Sequence, residues 1–159
     1  MRTLVVFYSL EGNTAYAAGR IADALGADTL RLRPKKKVPD KGPLKFIWGG
    51  KSALMAEAPD LEAFDVDVCA YERIVCGTPV WASTIAPPLR SFLKAHDIAD
   101  KRVAAFVCQA RNGGEKALER LRQCAGVPAL EAEVILIDPL ARPSRDTDAK
   151  IASFCSELR

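Results

Sequence analysis

Residues 3–26 read TLVVFYSLEGNTAYAAGRIADALG and contain two different hydrophobic patterns in succession. Thr3–Tyr8 is continuously apolar, β-branched and aromatic, which is typical of a strand that is covered on both faces. From Asn13 to Leu25 the apolar residues recur at helical spacing, and Gly26 is a helix stop signal. The stretch therefore predicts a buried strand, a short loop and an amphipathic helix.

The same alternation of strand and helix continues along the rest of the chain. Further strands are predicted at Thr29–Leu32, Arg73–Cys76, Val103–Cys108 and Val134–Ile137. Further helices are predicted after Pro87-Pro88, around Ala117, Leu118, Leu121 and Cys124, and around Ile151, Phe154, Cys155 and Leu158. A period of about 30 residues favours right-handed βαβ units, so we predict an α/β protein with a parallel sheet between two layers of helices.

Length and composition favour a single globular domain over residues 1–159. The 159 residues lie within the range of about 100–200 expected for one domain. Apolar residues make up 49% and charged residues 27%, which excludes wholesale disorder. No apolar run approaches the roughly 18 residues of a membrane helix, and no secretory signal is recognisable. We therefore expect a cytoplasmic protein that does not interact with a membrane.

The charge balance is weakly basic. Lys and Arg number 23 against 20 Asp and Glu, a net charge of +3 with a pI near 8.6. One basic cluster comprises Arg31, Arg33, Lys35, Lys36, Lys37 and Lys41, interrupted by Pro34 and Pro39. No aromatic residue is interleaved to stack on bases, so nucleic-acid binding is not expected. The cluster is interpreted as a solvated loop or as a docking surface for an acidic partner, and residues 33–65 have no regular pattern that assigns a role.

The cysteines and the one histidine argue against a metal centre. Five cysteines without a CxxC pair predict reduced thiols, and Cys76 and Cys108 end apolar runs as small hydrophobic residues would. His96 is the sole histidine and is interpreted as a helix C-terminal cap rather than a catalytic base. We predict neither a metal site nor a catalytic side chain.

Ligands of open parallel sheets bind beyond the carboxyl ends of the strands, so the loops there are the candidate site. The first loop, Ser9–Thr14, combines hydroxyl groups, Gly12 and a helix N-terminus, a combination that favours an anion such as phosphate. It is neither a GxGxxG dinucleotide motif nor a P-loop, because the required glycines and lysine are absent. By itself the pattern also fits an ordinary capped helix start.

Two further loops follow predicted strands. The second loop, Gly77–Thr84, carries Trp81, which can stack on a flat heteroaromatic ring or can close the upper edge of the sheet. The third loop, Gln109–Gly114, is rich in hydrogen-bond donors and could also be a plain turn. The three loops together indicate one ligand site more strongly than any of them alone.

Three stretches resemble the flavodoxin family. LVVFYSLEGNT at 4–14 resembles its phosphate-binding signature, VCGTPVWASTIAPPLRSFL at 75–93 is similar to its second flavin loop, and FVCQARNGGEKALERL at 106–121 is similar to its third. The resemblance covers essentially the whole chain in the family's order. It implies a three-layer α/β/α, flavodoxin-like fold, a five-stranded parallel sheet of order 2-1-3-4-5, and noncovalently bound FMN in a short-chain member.

The resemblance also implies which residues contact FMN. The phosphate would lie on Ser9, Leu10, Glu11, Gly12, Asn13 and Thr14, through hydroxyls and backbone N–H groups. The isoalloxazine ring would lie between Thr78, Pro79, Val80, Trp81, Ala82 and Ser83 on one side and Cys108, Gln109, Ala110, Arg111, Gly113 and Gly114 on the other.

The chain departs from the family pattern at several positions. Glu11 stands where many members have threonine, and we expect it to contribute only its backbone to a phosphate site. Ala110 and Arg111 stand near the place of a ring-stacking tyrosine, and the Arg111 charge is expected to favour the reduced, anionic flavin. Ala82 and Ser83 stand where glycine is common, and a positive φ is costlier for them.

We weigh three functions. The leading hypothesis is an FMN-binding electron-transfer protein that serves a larger redox protein, as a monomer or a weak homodimer. The alternative is an NAD(P)H-dependent quinone or FMN reductase, since the small Ala82 and Ala110 leave room for a nicotinamide. The third is a binding module without flavin, for which the charge of Glu11 near the phosphate position is the indication.

Overall fold

A computed structural model describes residues 1–36 and 58–159 of the chain. Its strands are β1 (Thr3–Phe7), β2 (Asp28–Arg31), β3 (Arg73–Trp81), β4 (Thr84–Ile85), β5 (Arg102–Gln109) and β6 (Glu133–Ile137). Its helices are α1 (Asn13–Leu25), α2 (Pro87–Ala95), α3 (Gly114–Ala125) and α4 (Arg145–Glu157), with a 3-10 turn at Val68–Ala70. Lys37, Lys41 and much of the irregular segment 33–65 lie outside the described residues.

The sheet has the order β2-β1-β3-β5-β6, and neighbouring strands in this path are parallel. The short β4 pairs antiparallel with the end of β3. Setting β4 aside, the order along the sheet is 2-1-3-4-5 in chain sequence. The predicted three-layer α/β/α topology is confirmed.

The predicted boundary of the third strand was wrong. The sequence predicts an end at Cys76, whereas β3 continues to Trp81, so most of the second loop is strand. Pro79 lacks a backbone N–H and therefore reads as a strand breaker. In the structure Pro79 lies opposite Cys108 within the parallel ladder, and the hairpin formed with β4 supports the extension.

Helices cover both faces of the sheet. Residues of β1 alternate between the two sides: Val6 packs with Leu89 and Phe92 of α2, whereas Val5 packs with Ile21 of α1 and Phe154 of α4. Val5 and Val6 are both fully buried, as the continuous apolar run predicts. Within residues 1–36 and 58–159, none of the helices combines the length and the apolar character that crossing a membrane requires.

The five cysteines are free thiols, as predicted, and Cys76 and Cys108 are buried in the core. Burial raises the pKa of each of these two thiols to about 12. Because the thiolate is the reactive form, both should be inert in the native protein.

We expect a disulfide reagent at mildly alkaline pH to modify the exposed Cys69 first and to leave Cys76 and Cys108 unmodified. Peptide mass mapping during a labelling time course on the native protein measures this, with the denatured chain as the full-reaction control. Early modification of Cys76 or Cys108 would contradict the packing described above.

Candidate functional site

The carboxyl ends of β1, β3 and β5 are neighbours, so the three predicted loops lie side by side. The amide of Tyr8, just before the first loop, donates to the carbonyl of Gly77 at 3.2 Å. A Cβ atom on Gly113 would lie 2.8 Å from the hydroxyl oxygen of Ser83, so the third loop touches the second. The strand order therefore creates one edge from three segments that are far apart in sequence.

The first loop ends in an open helix N-terminus. Gly12 is the N-cap of α1 with φ of 103°, a left-handed conformation that suits glycine, and no side chain caps this position. The amide of Ala15 donates to Ser9 Oγ at 3.1 Å. Within the described residues, the amides of Asn13 and Thr14 have no acceptor. Two free amides at a helix N-terminus form a ready anion site.

Several polar side chains of the first loop are already engaged. Asn13 Oδ1 accepts from the amides of Leu140 and Ala141 at 2.9 and 3.1 Å. Thr14 is only 1% exposed, and, against the larger, opposing effect of burial, its side chain lowers the pKa of the Cys108 thiol. An anion at this loop would therefore be held chiefly by backbone amides rather than by these side chains.

A fourth loop, residues 138–144 after β6, also reaches this edge, and sequence reasoning missed it. The amide of Asp138 donates to the carbonyl of Gln109 at 3.1 Å, and Arg142 Nη2 donates to the carbonyl of Ala110 at 3.0 Å. With its bonds to Asn13, the fourth loop links the first loop to the third. The signal was available, because β6 was predicted to be parallel and its carboxyl end must lie at the same edge.

Trp81 supplies an aromatic surface beside the first loop. It is partly buried and meets the Tyr8 ring edge to face, with centroids 5.6 Å apart and planes at 86°. Burial raises the pKa of Tyr8 to about 12, so Tyr8 is a neutral support for the indole. This arrangement holds a flat aromatic ring in place for stacking at the edge of the sheet.

The turn between β3 and β4 is strained. Ala82 and Ser83 have φ of 50° and 59°, so both occupy the left-handed region, which is costly for residues other than glycine. Trp81 pairs with Thr84 across this two-residue turn, and such tight hairpins require positive φ at both central positions. Each non-glycine residue in this conformation costs about 1–2 kcal/mol, so the pairing around the turn must offset the strain.

The third loop is organised by Gln109. Its Oε1 accepts from the amide of Gly114 at 2.8 Å, and its Nε2 donates to the carbonyl of Arg111 at 3.3 Å. Ala110 and Arg111 are exposed at the surface. The charge of Arg111 is therefore in contact with water, which screens its effect on a ligand.

The other predicted contact residues differ in accessibility. Leu10, Gly12, Pro79, Val80, Ser83 and Gly113 are partly buried, Glu11 and Ala82 are exposed, and Gly114 is buried. Thr78 is fully buried, and its hydroxyl accepts from the amide of Ala86 at 3.0 Å and donates to the carbonyl of Pro79 at 2.9 Å. Thr78 and Cys108 thus lie beneath the surface of the edge, and the hydroxyl of Thr78 ties the residue before α2 to β3.

Comparisons with known proteins agree with this architecture. The sequence profile described as Flavodoxin matches residues 2–142. None of the curated proteins matches the sequence.

Three solved structures illustrate the likeness. A flavoprotein in complex with FMN from Lactobacillus acidophilus has 19% identity and a TM-score of 0.70, covering 87% of this chain and 93% of its own. Oxidised flavodoxin 2 from Bacillus cereus has 15% identity and a TM-score of 0.63, covering 99% and 97%. A WrbA-like flavodoxin from Agrobacterium tumefaciens has 14% identity and a TM-score of 0.58, covering 98% and 95%. At these identities, the likeness shows a shared fold.

Proposed function

Because the chain belongs to the flavodoxin family, we propose that it binds FMN without a covalent bond and transfers electrons to a larger redox protein. One observation carries this proposal: two kinds of group lie at the same edge of the sheet. They are the free backbone amides of Asn13 and Thr14 at the start of α1, and the Trp81 ring, which packs against Tyr8. FMN has the two matching ends, a phosphate and a flat heteroaromatic ring. The residues present therefore fit the group.

At the phosphate end, the chain would act through backbone and helix dipole. The amides of Asn13 and Thr14 would donate to phosphate oxygens, and the positive end of the α1 dipole would favour the anion. Ser9 Oγ accepts from Ala15, which leaves the hydroxyl proton of Ser9 available for a third donated bond. The side chains of Asn13 and Thr14 would hold the loop in this conformation through the fourth loop and Cys108.

At the ring end, the chain would position and shield the ligand. Trp81 would stack on the ring, and Tyr8 would hold the indole in its orientation. The turn at Ala82 and Ser83, which touches the third loop at Gly113, would border the ring. Bound FMN supplies the one- and two-electron chemistry, and the protein tunes it by stacking, hydrogen bonding and nearby charge.

We expect FMN to bind at least about 100-fold more tightly than riboflavin, which lacks the phosphate. Hydrogen bonds to a charged group contribute about 1.5–3 kcal/mol each, and two of them correspond to roughly this ratio. Quenching of flavin fluorescence, titrated with apoprotein, measures both dissociation constants. Equal affinities would contradict the phosphate site, and failure to bind either ligand would reject the proposed function.

An NAD(P)H oxidation assay on the FMN-loaded protein distinguishes an electron carrier from a reductase. Mixed with NADH or NADPH and a quinone, and with no second protein present, the FMN-loaded protein should not sustain oxidation of the nicotinamide. Absorbance at the reduced nicotinamide band follows this directly. Sustained oxidation would contradict the carrier function and would indicate an NAD(P)H-dependent quinone reductase on the same fold.

A further inference from the structure

In the part of the chain that the structure describes, Arg90 on α2 is a buried cation without a counter-ion. Arg90 as a whole residue is 8% exposed, and its Nε atom is buried without a hydrogen-bond partner. Its Nη2 has Thr84 Oγ1 as an acceptor at 3.4 Å, the long end of the hydrogen-bond range. Among residues 1–36 and 58–159, no carboxylate forms an ion pair with Arg90.

Arg73 is a second buried arginine, and its hydrogen bonds show that its role is structural. Arg73, 7% exposed, donates from Nε and Nη2 to Glu131 at 2.7 Å each and from Nη1 to the Leu158 carbonyl at 2.8 Å. Every nitrogen of that guanidinium is satisfied by the fold itself. Arg90 lacks such partners among the described residues, and burying an uncompensated charge destabilises a protein. Its burial is therefore explained better by a negative charge that arrives with a ligand.

The position of Arg90 identifies the end of the proposed site that it serves. Its hydrogen-bond partner Thr84 follows the strained turn and pairs directly with Trp81 across the hairpin. Residues directly opposite each other in an antiparallel pair project their side chains on the same face. Arg90 therefore belongs to the ring end around Trp81 and not to the phosphate end at α1.

Building on the proposed function, we infer that Arg90 is the fixed counter-charge for the FMN ring when the ring is reduced. In a titration, dithionite is oxidised to bisulfite and transfers two electrons to the ring. One proton from the buffer joins the ring, which is left with one negative charge more than before. A buried guanidinium stabilises that charge more than an exposed cation does, because protein screens it less than water.

Three variants test this inference. Arg90→Met removes the charge but keeps an unbranched side chain, and Arg90→Lys retains the charge. Lys94→Met removes an exposed charge from the same helix and is the matched control. In Arg90→Met, the affinity for reduced relative to oxidised FMN should fall about tenfold, which lowers the two-electron potential by about 30 mV. Arg90→Lys and Lys94→Met should stay close to the wild-type potential.

The melting temperature of the apoprotein provides a second readout that does not need FMN. Since Arg90→Met removes an uncompensated buried charge, its apoprotein should melt at the wild-type temperature or above it. An unchanged FMN potential in Arg90→Met, or a clear drop in the apoprotein melting temperature, would overturn the inference. The visible spectrum after desalting separates the two ideas: wild-type protein that retains no flavin rejects the proposed function together with this inference. Retained flavin with an unchanged potential rejects the inference alone.

Discussion

Gly77→Ala is expected to lower the free energy of unfolding by about 3 kcal/mol, at the upper end of what overpacking a core costs. A Cβ atom at Gly77 would lie 2.1 Å from Phe106 Cζ and 2.5 and 2.6 Å from its two Cε atoms. Gly77 is opposite Phe106 in the β3–β5 ladder, and the Phe106 ring is fully buried. The ring cannot move aside without displacing the helices packed over it, since protein interiors are closely packed.

Gly19→Ala provides the matched control. Gly19 lies within α1, and no neighbouring heavy atom comes within 4 Å of a Cβ atom built there. The same substitution should therefore stabilise the protein by about 0.5–1 kcal/mol. Urea denaturation of the wild type and both variants compares them. Gly77→Ala should also be partly rescued by Phe106→Leu, and stability equal to wild type in Gly77→Ala would show that the ring does not occupy this position.

Glu131→Met is expected to cost about 3–5 kcal/mol, because it leaves the buried Arg73 guanidinium without its carboxylate. The two side chains form a bidentate pair, and the same guanidinium binds the carbonyl of Leu158 at the end of α4. The pair therefore ties β3, the segment before β6 and the last helix together at the end of the sheet opposite the candidate site. A loss here should appear as global unfolding at lower urea.

Arg102→Met tests whether burial is the reason for that effect. Arg102 also approaches Glu131 at 2.7 Å, but its side chain is 56% exposed. Its removal should cost less than about 1 kcal/mol, as is usual for exposed ion pairs. The double variant Arg73→Met/Glu131→Met should regain part of the stability lost in Glu131→Met, since it removes both buried charges. Equal losses in Arg102→Met and Glu131→Met would contradict the assignment.

The elements that sequence predicted well are those whose pattern is local. β1 is a continuous apolar run, and α1 has helical spacing followed by glycine, so their observed limits at Thr3–Phe7 and Asn13–Leu25 agree closely with the prediction. The end of β3 was missed because Pro79 looks like a strand terminator. Its neighbours in the sheet stabilise the strand beyond that point, and a cross-strand neighbour leaves no mark in the local sequence.

The candidate site divides in the same way. The helix start at Ser9–Thr14 and the aromatic at Trp81 are visible in the sequence, because hydroxyl, glycine and tryptophan residues after a strand are local signals. That Asn13 binds backbone amides 127 and 128 residues further along, and that Thr14 meets Cys108, could not be predicted from local patterns. These contacts decide which groups of the first loop are left for a ligand.

The amino-acid sequence by itself predicted the α/β class and the three loops at one edge, since hydrophobic period and chain connectivity depend on neighbours in sequence. The strand order 2-1-3-4-5 was implied by the resemblance to the flavodoxin family and not by those patterns. Tertiary structure alone decided the positive φ angles of Ala82 and Ser83, the close approach of Phe106 to Gly77 and the burial of Arg90 Nε without a hydrogen-bond partner. From the local sequence, an arginine within an amphipathic helix such as α2 would be predicted to lie on the surface. Only the packing shows that the Arg90 guanidinium is largely shielded from water. The free energy of a charge depends on its surroundings and not on its place in the chain.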